Sequence, residues 1–164
     1  MELKTRRIAH TGVTKFPTDE CTAQQLREAT PWGKGPKYLI RDRDSKYARQ
    51  FSAMAASSGI EEVKTPFRTP QANGICERFM GSLRRECLDH ILIYDGKHLQ
   101  RVVKEYTTYF NQERPHQGIG QQIPGHYDQS KKPNRTGRIT SHLFSCSITG
   151  INSIHLTSKL AVQG

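Results

Sequence analysis

Apolar positions along this chain change their period several times, and each change marks an element. After the Tyr94-Asp95-Gly96 turn, Leu99, Val102, Val103, Tyr106, Tyr109 and Phe110 recur at helical steps, which makes this the clearest amphipathic helix in the chain. Ile75, Phe79 and Leu83 recur every four residues and predict a helix over residues 75–91. Tyr47–Ser58 predicts another, with Phe51, Met54 and Ala55 on one side and Gly59 to end it, because glycine tolerates a left-handed cap. Thr18-Asp19-Glu20 is helix-start chemistry ahead of a short helix over residues 22–29. The run Tyr38-Leu39-Ile40 predicts a buried, parallel-type strand over residues 37–41, and residues 62–65 a second, brief one. Residues 1–13 predict a hairpin: the end of one strand, a Lys4-Thr5 turn, and a strand through Ile8 to Val13. Strands interleaved with helices argue for α/β organisation, a mixed sheet with helices on its faces.

Composition narrows the partners. The chain has 164 residues, enough for one domain with a core plus a tail, and its mean hydropathy is −0.71. Lys and Arg number 25 against 15 Asp and Glu, a formal charge of +10, which suits a polyanionic partner such as nucleic acid. A basic but otherwise ordinary soluble protein has the same balance. Four dispersed cysteines offer no finger spacing, so structural zinc is not expected. There is no long apolar run and no secretory signal, and a reduced cytosolic setting is the default. Residues 1–124 read as the domain and residues 125–164 as a basic, poorly ordered tail with one or two loose strands at most.

Two acids stand out by context. Asp42 follows the apolar strand, and Glu77 sits in the first turns of a helix opened by Pro70-x-x-Asn73-Gly74. An acid at a strand end and an acid at a helix start can converge on one edge, where carboxylate oxygens bind hard divalent cations. An acid near a helix start is also favoured by the macrodipole regardless of function. Asp19 falls at a helix start, where capping is expected, and Asp44 reads as a loop residue. Asn73, Glu77, Gly81 and Arg84 share one helix face, so Arg84 can reach a phosphate lying across that edge, whereas Arg78 and Arg85 point elsewhere. Asn73 either bonds the loop or caps the helix. Arg114-Pro115-His116 ends the amphipathic helix, with Arg or His satisfying its last carbonyls. Lys131, Lys132, Arg135 and Arg138 either hold backbone phosphates or solubilise the tail.

Asp42-Arg43-Asp44-Ser45-Lys46-Tyr47 resembles the Asp-x-Gly-Ser-x-Phe/Tyr signature of retroviral-type integrases and insertion-sequence transposases, with Asp44 in place of the usual glycine. Pro70-x-x-Asn73-Gly74-x-x-Glu77-Arg78 is similar to the segment that carries the last acid of their Asp-Asp-Glu triad. Asn111-Gln112-Glu113-Arg114-Pro115-His116 resembles the Tyr-Asn-x-x-Arg-Pro-His ending of the bacterial enzymes. The resemblance spans about Glu2 to Pro124 and implies an RNase H-like mixed sheet flanked by helices that catalyses DNA strand transfer with two Mg2+ or Mn2+ ions. It implies Asp42 and Glu77 as the second and third catalytic, metal-binding acids; the expected DNA contacts beside them are Asn73, Arg78, Arg84, Lys131 and Lys132. The first acid of such cores lies on an opening strand upstream of the hairpin that here begins at Met1. The expectation is therefore a core truncated at its N-terminus, lacking the first strand, that binds DNA but is catalytically incomplete alone. Element ends and target DNA, a homo-oligomer, no membrane, and a bacterial cytoplasm at the nucleoid complete the picture. The alternatives are a non-catalytic DNA-binding or multimer-interaction remnant and an RNase H-like nuclease.

Overall fold

A computed structural model describes residues 1–31, 35–66, 74–128, 130 and 142–144. Among these described residues four helices are present: α1 (Asp19–Ala29), α2 (Arg49–Ser57), α3 (Gly74–Glu86) and α4 (Gly96–Gln112). Three strands, β1 (Tyr38–Arg41), β2 (Glu61–Lys64) and β3 (His142–Phe144), form one sheet in the order β2-β1-β3. Short 3-10 turns follow α3 at Leu88–His90 and α4 at Gln117–Ile119 and Pro124–His126.

Among the described residues the sheet is not the mixed one expected. Both of its pairings are parallel, with Leu39 opposite Glu62 on one side and Leu143 on the other. The expected hairpin keeps its turn and loses its strands. Arg6 N–H donates to Glu2 O at 3.0 Å and Glu2 N–H to Arg7 O at 2.8 Å, with Arg6 at φ 64°, but residues 6–13 join no sheet. They run along α4 instead. The Asn111 amide accepts from Ile8 N–H at 2.8 Å and donates to Ile8 O at 3.0 Å. The Gln100 amide accepts from Val13 N–H at 2.8 Å and donates to Thr11 O at 3.4 Å. Side-chain amides thus satisfy backbone groups that a neighbouring strand would otherwise pair. Within the region expected to be an irregular tail, residues 142–144 add β3 to the open side of β1.

Helix ends follow local chemistry. Thr18 caps α1 by accepting from Cys21 N–H, and Asp95 caps α4 by accepting from His98 N–H at 2.6 Å. Gly59, at φ 67°, closes α2 with its N–H on Ala56 O. Asp19 is indeed a cap, but of a different helix. Its carboxylate accepts backbone N–H groups of Ala48, Gln50 and Phe51 at 2.7–3.0 Å, which fixes the start of α2 against α1.

The core lies in two parts joined by a small bridge. Ala23, Leu26, Leu39, Tyr47, Phe51, Ala55 and Ile60 pack α1 and α2 on the sheet. Met1, Ile8, Phe79, Leu83, Leu99, Val103, Tyr106 and Phe110 join the N-terminal segment to α3 and α4. Leu3 and the fully buried Cys76, with Ile40 and Ile75 against them, connect strand to helix. The apolar face expected on α4 is buried except for Tyr109, which is 43% exposed.

Candidate catalytic edge and its supports

The bridging cluster brings the two acids' elements together. Ile40 lies two residues before Asp42 and Ile75 two residues before Glu77, and both pack around Leu3 and Cys76. The end of β1 and the first turn of α3 therefore rest on the same small buried cluster.

Around Asp42 the loop is held from several directions. Arg41, 4% exposed, pairs with Glu62 on the neighbouring strand, and its guanidinium lies over the rings of Tyr47 and Phe51 at 5.6 and 5.9 Å. The same guanidinium donates to Asp42 O at 3.1 Å, so the strand end is tied to the core beneath it. The Asp42 carboxylate accepts Asp44 N–H at 3.2 Å and is otherwise turned to solvent in part. Arg43 donates to Thr65 O at 3.1 Å. Asp44 is a loop residue, as its context suggested: it accepts Lys46 Nζ at 2.9 Å and Lys46 N–H at 3.2 Å. The Lys46 hydrogen bond holds its carboxyl below the ordinary value, against the opposing effect of desolvation.

Glu77 is exposed in the first turn of α3, and no hydrogen bond or ion pair to its carboxylate is recorded among the described residues. Arg78 beside it is exposed as well. Arg84, two turns on, is half exposed and stands 3.5 Å from Asp89, which leaves it a weak internal partner. Arg85 folds back over Gly81, where an added Cβ would come within 2.9 Å of its Nη1. Asn73, Lys131 and Lys132 lie outside the described residues, as do Arg135 and Arg138.

Two carboxylates suit an oxygen-seeking ion, but a two-ion site needs more donors. No group of three or more His, Cys, Asp or Glu side chains that could hold a metal occurs among the described residues. Asp19, an earlier acid, is engaged by N–H groups at the start of α2. The described residues thus supply no third ligand beside Asp42 and Glu77 for a two-ion centre.

The Arg-Pro-His segment has a definite structural task that its sequence only partly signalled. Arg114 grips Glu86 through two nitrogens, Nε at 2.9 Å and Nη2 at 2.5 Å, while Tyr106 donates its hydroxyl to the same carboxylate at 2.7 Å. Arg114 foremost, and then Tyr106, hold the Glu86 carboxyl below its ordinary value despite partial burial. This clamp ties the end of α3 to α4. His116 packs edge-on against Phe110 at 4.2 Å. Burial first, then the nearby Arg114 charge, lower its pKa to about 4, so the ring is neutral at pH 7. It also bonds the Phe110 backbone, which satisfies a last-turn carbonyl of α4 as expected.

Residues 58–124 match the integrase core domain family. That range holds Glu77, Arg78, Arg84 and the Asn111–His116 segment, and it excludes Asp42. Over 103 residues, 60% of this chain, it is 29% identical to the putative transposase InsD for insertion element IS2E of Escherichia coli strain K12, covering 46% of that protein. It is also 29% identical over 103 residues to the Escherichia coli transposase InsD for insertion element IS2A/D/F/H/I/K, covering 33% of it. The chain therefore spans less than half the length of these curated relatives. Among solved structures it is similar to a chain of the simian T-cell lymphotropic virus intasome in complex with PP2A regulatory subunit B56 gamma. The TM-score is 0.55 at 18% identity, covering 77% of this chain and 47% of that one, which shows a shared fold. Among the described residues, no helix is long and apolar enough to cross a membrane.

Proposed function

We propose that this chain works in DNA transposition as part of an integrase-type core, with Asp42 and Glu77 facing DNA at the carboxyl end of β1. The observation that carries this reading is the packing of Ile40 and Ile75 against the same small cluster of Leu3 and Cys76, because it brings the strand end and the helix start to a common support. Integrase-core resemblance over residues 58–124 and a formal charge of +10 support DNA as the partner. The two carboxylates supply oxygen ligands suited to Mg2+ or Mn2+, but two such groups fall short of a two-ion centre. We accordingly assign the chain, by itself, DNA binding with little or no strand transfer.

A divalent-ion titration tests the site. Mg2+ or Mn2+ should raise the thermal midpoint of the native protein and do less for Glu77→Gln. An equal rise in both proteins would remove Glu77 from the site. Brisk Mg2+-dependent joining of DNA ends, abolished in Asp42→Asn, would overturn the assignment of low activity.

A second reading, a DNA-binding or multimer-interaction module without chemistry, draws on the absence of a three-ligand group among the described residues. It expects the Asp42→Asn, Glu77→Gln double variant to bind DNA as well as the native protein or better, with no ion-dependent stabilisation in either.

A further inference from the structure

The exposed side of α4 carries a feature that the candidate edge does not use. Lys97, Arg101, Lys104 and Thr108 follow one another at steps of four, three and four residues, so they form one stripe opposite the buried Leu99, Val103, Tyr106 and Phe110. All four are exposed. Among the described residues no ion pair or side-chain hydrogen bond engages Lys97, Arg101 or Lys104, and like charges three and four residues apart destabilise a helix. Glu105, the next acid on α4, instead lines a shallow groove with Glu86, Cys87 and Tyr109.

The stripe has a second wall. Asn111 and Gln100, on the flank of the same helix face, hold residues 8–13 alongside α4, with Ile8 at the Asn111 end and Val13 at the Gln100 end. Exposed Arg7 and Lys15 bracket that segment. Where it leaves the C-terminal end of α4, a polar cavity of about 460 Å3 opens, lined by Thr5, Arg7, Thr107, Thr108 and Gln112 among others. One acid, Glu2, also lines it, and accepts the Thr5 hydroxyl at 2.7 Å.

We propose that α4 and the segment beside it form a second DNA-binding surface, separate from the acids, in which Lys97, Arg101 and Lys104 contact successive phosphates of one duplex strand. This rests on DNA being the partner, as proposed above. Spacing permits it: the three cations lie within seven residues of helix, about 10 Å, and phosphates of one strand recur every roughly 3.4 Å of duplex axis, so long Lys and Arg side chains on this stripe reach neighbouring phosphates. The surface offers mainly cations, hydroxyls and amides, which suits backbone contact without sequence readout.

The test compares duplex-DNA binding by the full chain and by a Lys97→Gln, Arg101→Gln, Lys104→Gln variant across salt concentrations. Each phosphate contact contributes a slope of about −0.9 in log K against log salt, so the variant should lose about 2.7 of slope. Between 50 and 200 mM salt its affinity should then fall roughly 40-fold less than that of the native protein. A control, Arg27→Gln with Lys37→Gln, removes exposed cations at the end of α1 and the start of β1 and should leave the slope unchanged. Circular dichroism confirms that each variant is folded. An unaltered slope in the triple variant overturns the surface, as does an equal loss per charge in the control, which would make net charge the cause. Native protein that fails to bind duplex DNA at low salt overturns both this surface and the function it rests on. An altered slope alongside ion-insensitive Asp42 and Glu77 variants leaves the surface standing and removes only the proposed acid site.

Discussion

Asn111→Ala tests how an extended segment stays ordered without a strand partner. Ile8 is 4% exposed, and its N–H and C=O are both satisfied by the Asn111 amide, at 2.8 and 3.0 Å. Truncation to alanine leaves a buried donor and a buried acceptor unpaired, each costing about 1–3 kcal/mol. Asn111 is itself only partly buried, so water can reach some of the vacated space, and the lower half of that range applies to the pair, about 2–4 kcal/mol. Alanine recovers roughly 0.5 kcal/mol through its better helix propensity near the end of α4. The net loss is therefore about 1.5–3.5 kcal/mol, a large fraction of the roughly 5–15 kcal/mol that holds a domain folded. Urea unfolding would show it as a lower midpoint at unchanged slope, and amide exchange at Ile8 should speed up while Val13, held by Gln100, changes less. A loss under about 0.5 kcal/mol with Ile8 exchange unchanged would refute the idea that this amide replaces a strand.

Two further outcomes follow from the same contacts. Asp19 has its carboxyl below the ordinary 3.8: desolvation pushes upward, but N–H groups of Gln50, Phe51 and Ala48 together outweigh it. Its contribution is present above the unfolded value and disappears as pH falls through the folded one, so Asp19→Asn should lower stability at neutral pH and flatten the acid limb of the pH–stability curve below about pH 4; parallel curves for the two proteins would contradict this. Gly125→Ala would place a Cβ 2.8 Å from the carbonyl oxygen of Asn111, a backbone atom that cannot swing away. It should cost about 1–3 kcal/mol in thermal unfolding, and a neutral result would mean that the Pro124–His126 turn is not seated on α4.

The sequence by itself determined the elements whose signals are local. Helical spacing located α3 and α4, the apolar Tyr38-Leu39-Ile40 run located β1, and Gly59 marked the end of α2, because periodicity and φ preference act within a few residues. The motif around Glu77 and the Asn111–His116 segment indicated the integrase-core resemblance, which the match over residues 58–124 supports. The nature of Asp44 as a loop residue was also legible, since it lies beyond the strand end that Asp42 marks.

Tertiary structure decided whatever depended on partners distant in the chain. Ile8 to Val13 reads as a strand, but a strand needs a neighbour, and α4 amides about 100 residues away meet its backbone groups instead. Asp19 has the composition of a cap for its own helix; packing of α1 on α2 gave it the N–H groups of another. Arg114 could satisfy a helix end or a remote acid, and only the approach of α3 to α4 delivers Glu86 and Tyr106 to it. The mixed sheet gave way to a parallel one for the same reason: strand direction is a relation between segments, and no residue carries it alone.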